Sequence, residues 1–225
     1  MKFIYYSLIF CALNATSQVK SYSTIETSSG RLMYTPAFGG AELADGSPYM
    51  NSTYLPSKVS NYSGTTPLIR YNAEKDEMEF LKDEKKYYLT KSDSLEVKIA
   101  EKLYKYLSYN GDSGIEKGFF VVLLNNKKDK FSLFKKESIT LIPKSEPKSS
   151  YDKPSPAYYR VNDEKFYLEL SEKIIEMPKK KKDFILLFPN NIDEVEVFIK
   201  ENKTSFKNEK KLIELISFVN TIEKL

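Results

Sequence analysis

Short runs of alternating apolar and polar residues dominate the larger N-terminal part of the chain, and this alternation predicts β-strands. The clearest pair lies at residues 68–72 and 77–80, where two alternating runs are joined by turn-forming residues. Such a pattern is typical of a β-hairpin. The apolar residues of both runs share one face, and we expect Arg70 to meet Glu77 or Glu79 across a solvated opposite face.

The hairpin is followed by other strand-like runs, at residues 86–89, 95–99, 102–107, 118–124 and 131–134. The 95–99 run also continues at helical spacing into Leu103 and Leu107, but its strict alternation favours a strand. The 118–124 run is almost wholly apolar, so we interpret it as a central strand that is buried on both faces. Together these runs predict an antiparallel β-meander that forms a sheet, a sandwich or a partly open barrel.

A segment rich in proline separates this meander from a different C-terminal pattern. Four prolines lie between residues 143 and 157, and proline at that density predicts an extended connector. Runs at 158–161 and 166–170 then predict a small β-hairpin, after which the apolar period changes to that of a helix. The sequence thus predicts an α+β fold whose β-rich domain, connector and C-terminal domain lie at residues 47–142, 143–157 and 158–225.

Three short amphipathic helices are predicted in the C-terminal domain. Pro178 suits the first turn of the first helix, and Pro189 ends that helix. Asn191 is a suitable N-cap for the second helix, with Glu194 three residues further on. The last helix carries one apolar stripe, formed by Leu212, Leu215, Ile216, Val219 and Ile222.

The start of the chain has the features of an export signal. Residues 1–17 contain a basic residue, an apolar run and a final group of small residues, which predicts a secretory signal peptide cleaved before Gln18. A lipid anchor at Cys11 and an uncleaved membrane anchor are the alternatives. Residues 18–46 are rich in Ser, Thr and Gly, and we expect them to form a flexible segment with one or two short strands.

Two absences in the composition restrict the chemistry. The chain of 225 residues contains no His, and its single Cys lies in the predicted signal peptide. These absences remove the usual ligands of zinc and every nucleophile that depends on a His base, so we expect no metal and no cofactor. The 35 basic and 31 acidic residues nearly balance, and bulk charge therefore identifies no partner.

The remaining catalytic candidates are carboxylates. Residues 111–114 read Gly-Asp-Ser-Gly, as around the nucleophile of some serine proteases, but without a His this motif predicts a turn between strands. Asp76 with Glu77 or Glu79 is a candidate pair for a carboxylate-dependent hydrolase that acts on envelope polysaccharide. This hydrolase is the alternative to a non-catalytic protein.

The densest run of positive charge covers residues 179–182, all of them Lys. A solvated helix start explains this run, and a peripheral contact with phosphate groups at a membrane surface is the alternative. Because no recognition motif is present, we expect no nucleic-acid partner.

Several short motifs resemble those of a group of small exported proteins of Bacteroidota with no established activity. They are Gly-Ser-Pro-Tyr at 46–49, Ile-Arg-Tyr-Asn at 69–72, Asp-Glu-Met-Glu-Phe at 76–80, Gly-Phe-Phe at 118–120 and the helical end around 198–200 and 212–213. The resemblance implies export to the periplasm, the outer-membrane surface or the medium. It implies no functional residue.

Seventeen tyrosines and the lack of most catalytic side chains favour a binding role. The predicted function is an exported, non-catalytic binding or envelope-structural module. We expect it to bind an envelope protein or a surface glycan through a Tyr-bearing sheet face, with Tyr87, Tyr104 and Tyr106 as an exposed row.

Overall fold

The computed structural model confirms an α+β fold, in which antiparallel sheets are followed by a C-terminal helical layer. It describes residues 23–27, 30–37, 44–93, 95–125, 129–146 and 154–223. The predicted signal peptide, parts of the 18–46 segment and the middle of the connector lie outside these residues. The strands are β1 (Ser23–Thr27), β2 (Gly30–Pro36), β3 (Ser57–Val59), β4 (Ile69–Asn72), β5 (Glu77–Lys82), β6 (Lys85–Leu89), β7 (Glu96–Ile99), β8 (Lys102–Gly111), β9 (Gly114–Leu124), β10 (Ser132–Lys136), β11 (Ile139–Ile142), β12 (Tyr158–Val161), β13 (Lys165–Leu170) and β14 (Lys173–Glu176). The helices are α1 (Lys181–Ile185), α2 (Ile192–Glu201) and α3 (Glu209–Ile222).

The first sheet has the strand order β1-β2-β6-β5-β4. Its β4–β5 hairpin is the one predicted from the sequence, with Ile69 opposite Phe80 and Arg70 opposite Glu79. The Asn72 side chain accepts hydrogen bonds from two backbone N–H groups of the turn, as its turn propensity predicts. The apolar face of the hairpin is buried, but Glu79 is also only 1% exposed. The prediction that the opposite face is solvated is therefore wrong at Glu79.

The second sheet has the order β14-β13-β10-β9-β8-β7-β3 and folds back on itself. Asp112 and Ser113 form the turn between β8 and β9, as predicted, and Gly114 follows them at a φ of +117°, which favours glycine. Close to this turn, Ile175 of β14 pairs in parallel with Asn110 of β8. This pairing closes β8, β9, β10, β13 and β14 into a five-stranded barrel.

Aromatic residues fill the interior of the barrel. The ring of Phe120 lies 4.9 Å from the ring of Tyr167 and 5.1 Å from that of Tyr109, both edge to face. Phe134 and Ile174 complete the cluster, and all five residues are buried. They lie on alternate positions of the strands, because only every second side chain points inward.

A second core lies between the first sheet and the outer face of β7, β8 and β9. Met78 and Phe80 of the first sheet are fully buried in this core, as are Val97 and Phe119 on the opposite side. The two sheets therefore form a sandwich that shares β8 and β9 with the barrel.

The helices cover the outer face of β10 and β13, in agreement with the amphipathic stripe predicted for the last helix. On α3 the buried residues of that stripe are Leu212, Leu215, Ile216 and Val219. The Asn220 amide bonds both the N–H and the C=O of Phe131, each at 2.9 Å. Helix α1 begins at Lys181 rather than at Pro178, and Asn191 occupies the N-cap of α2 without a side-chain capping bond.

The prediction of two separate units joined by a spacer is wrong. Strand β10 pairs with β13 along its whole length, so one sheet crosses the proposed boundary. The ends of the connector continue the antiparallel pairing of β11 with β12, since Ser145 bridges to Ser155. The predicted hairpin of 158–161 with 166–170 does not form either. The hairpin of this region is instead β13–β14, and residues at positive φ, Ser171 and Glu172, form its turn.

The one or two short strands predicted within residues 18–46 are present as β1 and β2, but β2 is packed into the fold and does not belong to a flexible segment. This strand pairs with β6, and its residues Leu32 and Tyr34 are buried in the sandwich core. Its alternation of buried and exposed residues is that of an ordinary half-buried strand.

Candidate functional site

The predicted exposed row of tyrosines is not present in the structure. Tyr104 is 3% exposed and donates a hydrogen bond to Glu137 Oε2 at 2.9 Å inside the sandwich core. Tyr104 points inward because its alternating position on β8 faces the first sheet, where its ring lies 5.1 Å from that of Tyr71. The expectation that Tyr104 lies on an exposed face is therefore wrong.

Tyr87 and Tyr106 are half-buried and lie on different sheets. Tyr87 on β6 packs edge to face on Tyr34, with 5.0 Å between the ring centroids. Tyr106 on β8 packs on Phe119 at 5.1 Å. Both rings extend the sandwich core, so the three tyrosines do not form one binding face.

The three candidate carboxylates of the hairpin have separate partners. Asp76 accepts hydrogen bonds from the Tyr71 hydroxyl at 2.6 Å and from the N–H of Phe119 at 3.2 Å. Glu77 forms an ion pair with Lys91 at 2.9 Å. Asp76 thus fastens the hairpin turn to β9, and neither Asp76 nor Glu77 lines the cleft described below.

Glu79 is the centre of a buried polar cluster. It accepts hydrogen bonds from Arg70 Nη2 at 2.6 Å, from the Tyr54 hydroxyl at 2.6 Å and from the Tyr49 hydroxyl at 2.9 Å. The Arg70 guanidinium lies between the two tyrosine rings, 3.5 Å from the centroid of Tyr49 and 4.2 Å from that of Tyr54. Both carboxylate oxygens of Glu79 accept hydrogen bonds from these residues, which indicates a structural role.

An open cleft of about 750 Å³ lies at one end of the barrel, where β8, β10 and β14 finish and β9 and β13 begin. We call it the mouth cleft, and its volume is within the range of ligand sites in proteins. It is lined by Tyr109, Lys136, Ser138, Asn162, Asp163, Glu164, Lys165, Phe166, Tyr167, Glu176, Met177, Pro178, Lys179, Phe206 and Lys207. Nine of these fifteen residues are charged or polar, and four are aromatic, so the cleft suits a polar ligand that also offers apolar faces.

Lys136 lies at the base of the mouth cleft with few polar contacts. Its side chain is 17% exposed, and its nearest polar contacts are the Phe119 carbonyl oxygen at 3.5 Å and Asp76 Oδ1 at 3.7 Å. Its amine also lies 4.8 Å from the centroid of the Phe120 ring. A β-carbon at position 118 would collide with this amine, so Gly118 makes room for it. Burial lowers the pKa of the Lys136 amine, and the Asp76 carboxylate opposes this shift only in part.

Tyr167 supplies a second polar group at the same end of the barrel. Its ring is buried against Phe120, but its hydroxyl has no hydrogen-bond partner among the residues that the structure describes. Burial, together with the nearby Glu176 carboxylate, raises the pKa of Tyr167 to about 12. The hydroxyl therefore remains protonated at neutral pH and can donate a hydrogen bond to a ligand in the cleft.

Charges on the cleft walls nearly balance. Glu176 forms ion pairs with Lys165 at 3.2 Å and with Lys179 at 3.8 Å. Four lysines and three carboxylates line the cleft in all. This near balance gives the cleft no strong preference for an anion or a cation.

Residues 179–182 are all exposed, in agreement with a solvated helix start. Lys179 lies at the edge of the mouth cleft, whereas Lys181 and Lys182 begin α1. A contact of these lysines with membrane phosphates remains a prediction.

The sequence reasoning missed Lys136 and Tyr167. A signal was present, since Lys136 follows the buried Phe134 at the spacing that keeps side chains on one face of a strand. Two consecutive lysines after an apolar run are usually solvated, so the sequence alone does not distinguish Lys136 from a surface lysine.

Comparisons with protein-family models, with curated proteins and with solved structures give no match. Among the described residues, no group of three or more acidic, Cys or His side chains is placed to hold a metal ion. The helices in the described part of the chain are too short or too polar to cross a membrane.

Proposed function

We propose that this protein is an exported, non-catalytic binding module whose mouth cleft holds a neutral saccharide of the cell envelope. The observation that supports it most directly is the pair of polar groups, Lys136 and Tyr167, that lack strong partners at the base of an open cleft. Because both groups open on the cleft, acceptor atoms of a ligand can bond to them in place of water.

A saccharide suits the chemistry of the walls. Its hydroxyl groups accept from Lys136 and Tyr167, while its C–H faces pack on apolar and aromatic side chains such as Phe206. The nearly balanced charges favour a neutral sugar over a strongly acidic one. The absence of His and the signal-like residues 1–17 are the sequence features that support a non-catalytic, exported role.

The proposal is tested with a panel of neutral and acidic oligosaccharides whose reducing ends have been converted to alditols. Binding is measured for the wild-type protein, for Lys136→Met and for Lys58→Met, which removes an exposed lysine on the distant strand β3. We expect at least one neutral oligosaccharide to bind wild type and Lys58→Met, and to bind Lys136→Met about tenfold more weakly, the effect of one hydrogen bond to a charged group. Failure of every neutral oligosaccharide to bind wild type, or equal binding to all three proteins, contradicts the proposal.

A further inference from the structure

Two neighbouring lysines of β10 have opposite environments. The Lys135 amine contacts Glu209 at 2.6 Å and Glu164 at 3.1 Å, and it joins the strand to the helical layer. The Lys136 amine points to the other side of the strand, where it has no polar contact shorter than 3.5 Å among the described residues. Lys135 is therefore a structural ammonium group, whereas Lys136 is a buried amine that opens on a cleft.

We propose that Lys136 captures an aldehyde in the mouth cleft by forming a reversible imine. The open-chain end of a reducing sugar is one such aldehyde, so the inference rests on the proposed function for its ligand class. Three geometric features carry it: the amine is packed on the Phe120 ring, it is weakly hydrogen-bonded, and it is reached through a cleft of about 750 Å³.

The reaction needs no oxidant or reductant. The ammonium first gives one proton to water in the open cleft, and the nitrogen lone pair then attacks the carbonyl carbon. The C=O electron pair moves to oxygen, which takes up a proton while the nitrogen gives one proton to water, and the product is a neutral carbinolamine with one N–H. Loss of the hydroxyl group as water, with departure of the remaining N–H proton, leaves the C=N bond of the imine.

Burial lowers the pKa of the Lys136 amine and so increases its neutral, nucleophilic fraction, although the Asp76 carboxylate opposes this shift in part. An ordinary lysine has a pKa of about 10.4, so only about one amine in 2,500 is neutral at pH 7. Each unit by which burial lowers the pKa raises the neutral fraction about tenfold. The titratable groups that act on the amine or face it across the mouth are Asp76, Lys91, Tyr109, Glu116, Lys165, Tyr167 and Glu176.

The test measures the rate of reductive alkylation at each lysine of the folded, full-length chain. Glycolaldehyde and sodium cyanoborohydride are added between pH 6 and pH 10, and the adducts are located by peptide mass spectrometry. We expect Lys136 to react several-fold faster than the exposed Lys58 at pH 7, because its lowered pKa gives it a larger neutral fraction. Its rate should also level off at a lower pH than that of Lys58.

Two variants sharpen the test. Asp76→Asn removes the carboxylate that stabilises the ammonium form but keeps an acceptor for Tyr71, so labelling of Lys136 at pH 7 should become faster. Lys136→Arg should abolish the dominant adduct, while Lys58→Arg should leave it unchanged. Labelling of Lys136 no faster than that of Lys58, with the same pH profile, overturns the inference.

This result is separate from the test of the proposed function, because alditol-ended oligosaccharides carry no aldehyde. Binding of an alditol without selective labelling of Lys136 refutes the imine and leaves the saccharide site intact. Selective labelling of Lys136 without any alditol binding supports the reactive amine and refutes the saccharide proposal.

Discussion

Replacing Glu79 by Gln should destabilise the protein far more than the same change at Glu77 two residues away. Glu79 is 1% exposed and Arg70 is 12% exposed, so the substitution leaves a nearly buried guanidinium without its counter-ion. Breaking a buried ion pair in this way costs about 3–5 kcal/mol. Glu77→Gln removes a more exposed pair with Lys91, and such pairs contribute about 0–1 kcal/mol.

The assay is urea unfolding, followed by far-UV circular dichroism and by tyrosine fluorescence because the chain has no Trp. With an m-value of about 3 kcal/mol/M, the midpoint of Glu79→Gln should fall by about 1–2 M and that of Glu77→Gln by less than about 0.4 M. An unchanged m-value is needed for both comparisons. Equal midpoints for the two variants would refute the view that the cluster of Arg70, Tyr49, Tyr54 and Glu79 stabilises the hairpin.

The stabilities of wild type and Glu79→Gln should also depend differently on pH. Burial raises the pKa of the Glu79 carboxyl, but hydrogen bonds from Tyr54, Arg70 and Tyr49 outweigh burial and hold the pKa below its ordinary value. A carboxyl with a lowered folded-state pKa contributes stability above its unfolded pKa of about 4.3, and that contribution is lost as the pH falls further. The gap in stability between wild type and Glu79→Gln should therefore narrow below about pH 4. A gap that stays constant from pH 7 to pH 3 contradicts this explanation.

Three further outcomes are expected. Tyr104→Phe should lower stability by about 1.5–3 kcal/mol, because it leaves the Oε2 atom of the buried Glu137 without its donor while Lys102 still bonds Oε1. Tyr106→Phe should change stability by less than about 0.5 kcal/mol in the same urea assay. Leu215→Ala in α3 should lower the free energy of unfolding by about 2–5 kcal/mol, and the sheet and helix signals should unfold at the same lowered midpoint. Separate transitions for the two signals would contradict the view that the sheets and helices unfold as one cooperative unit. Stability should fall as the pH rises above about 10, because the pKa of a tyrosine such as Tyr167 is about 12 in the folded protein but about 10 in the unfolded chain. Thermal melts between pH 8 and pH 11 measure this decrease.

Local pattern predicted those elements whose partners lie close in sequence. The β4–β5 hairpin is an example, because alternation fixes its buried face and Asn72 fixes its turn. The helices followed from their apolar period and from the prolines around α1. The burial of Glu79 on the opposite face of the hairpin could not be predicted from the local pattern, because Tyr49 and Tyr54, which cover that face, lie outside the hairpin.

Closure of the barrel depends on contacts that no local pattern encodes. Asn110 and Ile175 meet only because the sheet curls, and each looks like part of an ordinary strand end. The prolines predicted an extended connector over residues 143–157, but they carry no information on whether the flanking strands pair with each other. The flanking strands β11 and β12 do pair with each other, so the described ends of the connector join two strands of the same small sheet.

The mouth cleft could not be predicted from the sequence for a related reason. Both faces of β9 and β10 are covered, one by the first sheet or the helices and the other by the barrel interior. The alternation of the strand therefore predicts that Lys135 and Lys136 lie on opposite faces of β10, but it does not indicate which of them lines a cleft. The large number of tyrosines, by contrast, led to the prediction of a binding role for Tyr104. Its ring packs on Tyr71 and its hydroxyl is hydrogen-bonded to Glu137 inside the core.

Calorimetric titration of Tyr167→Phe tests the saccharide site most directly. The substitution keeps the buried ring and removes only the hydroxyl that opens on the mouth cleft, and Tyr106→Phe is the matched control on β8. The ligand is the alditol-ended oligosaccharide that binds wild type most tightly. Its Kd should be about tenfold higher for Tyr167→Phe, because one hydrogen bond to the ligand is lost, and should be unchanged for Tyr106→Phe. Unaltered affinity in Tyr167→Phe, or weakening by Tyr106→Phe alone, would contradict the placement of the ligand at the mouth of the barrel.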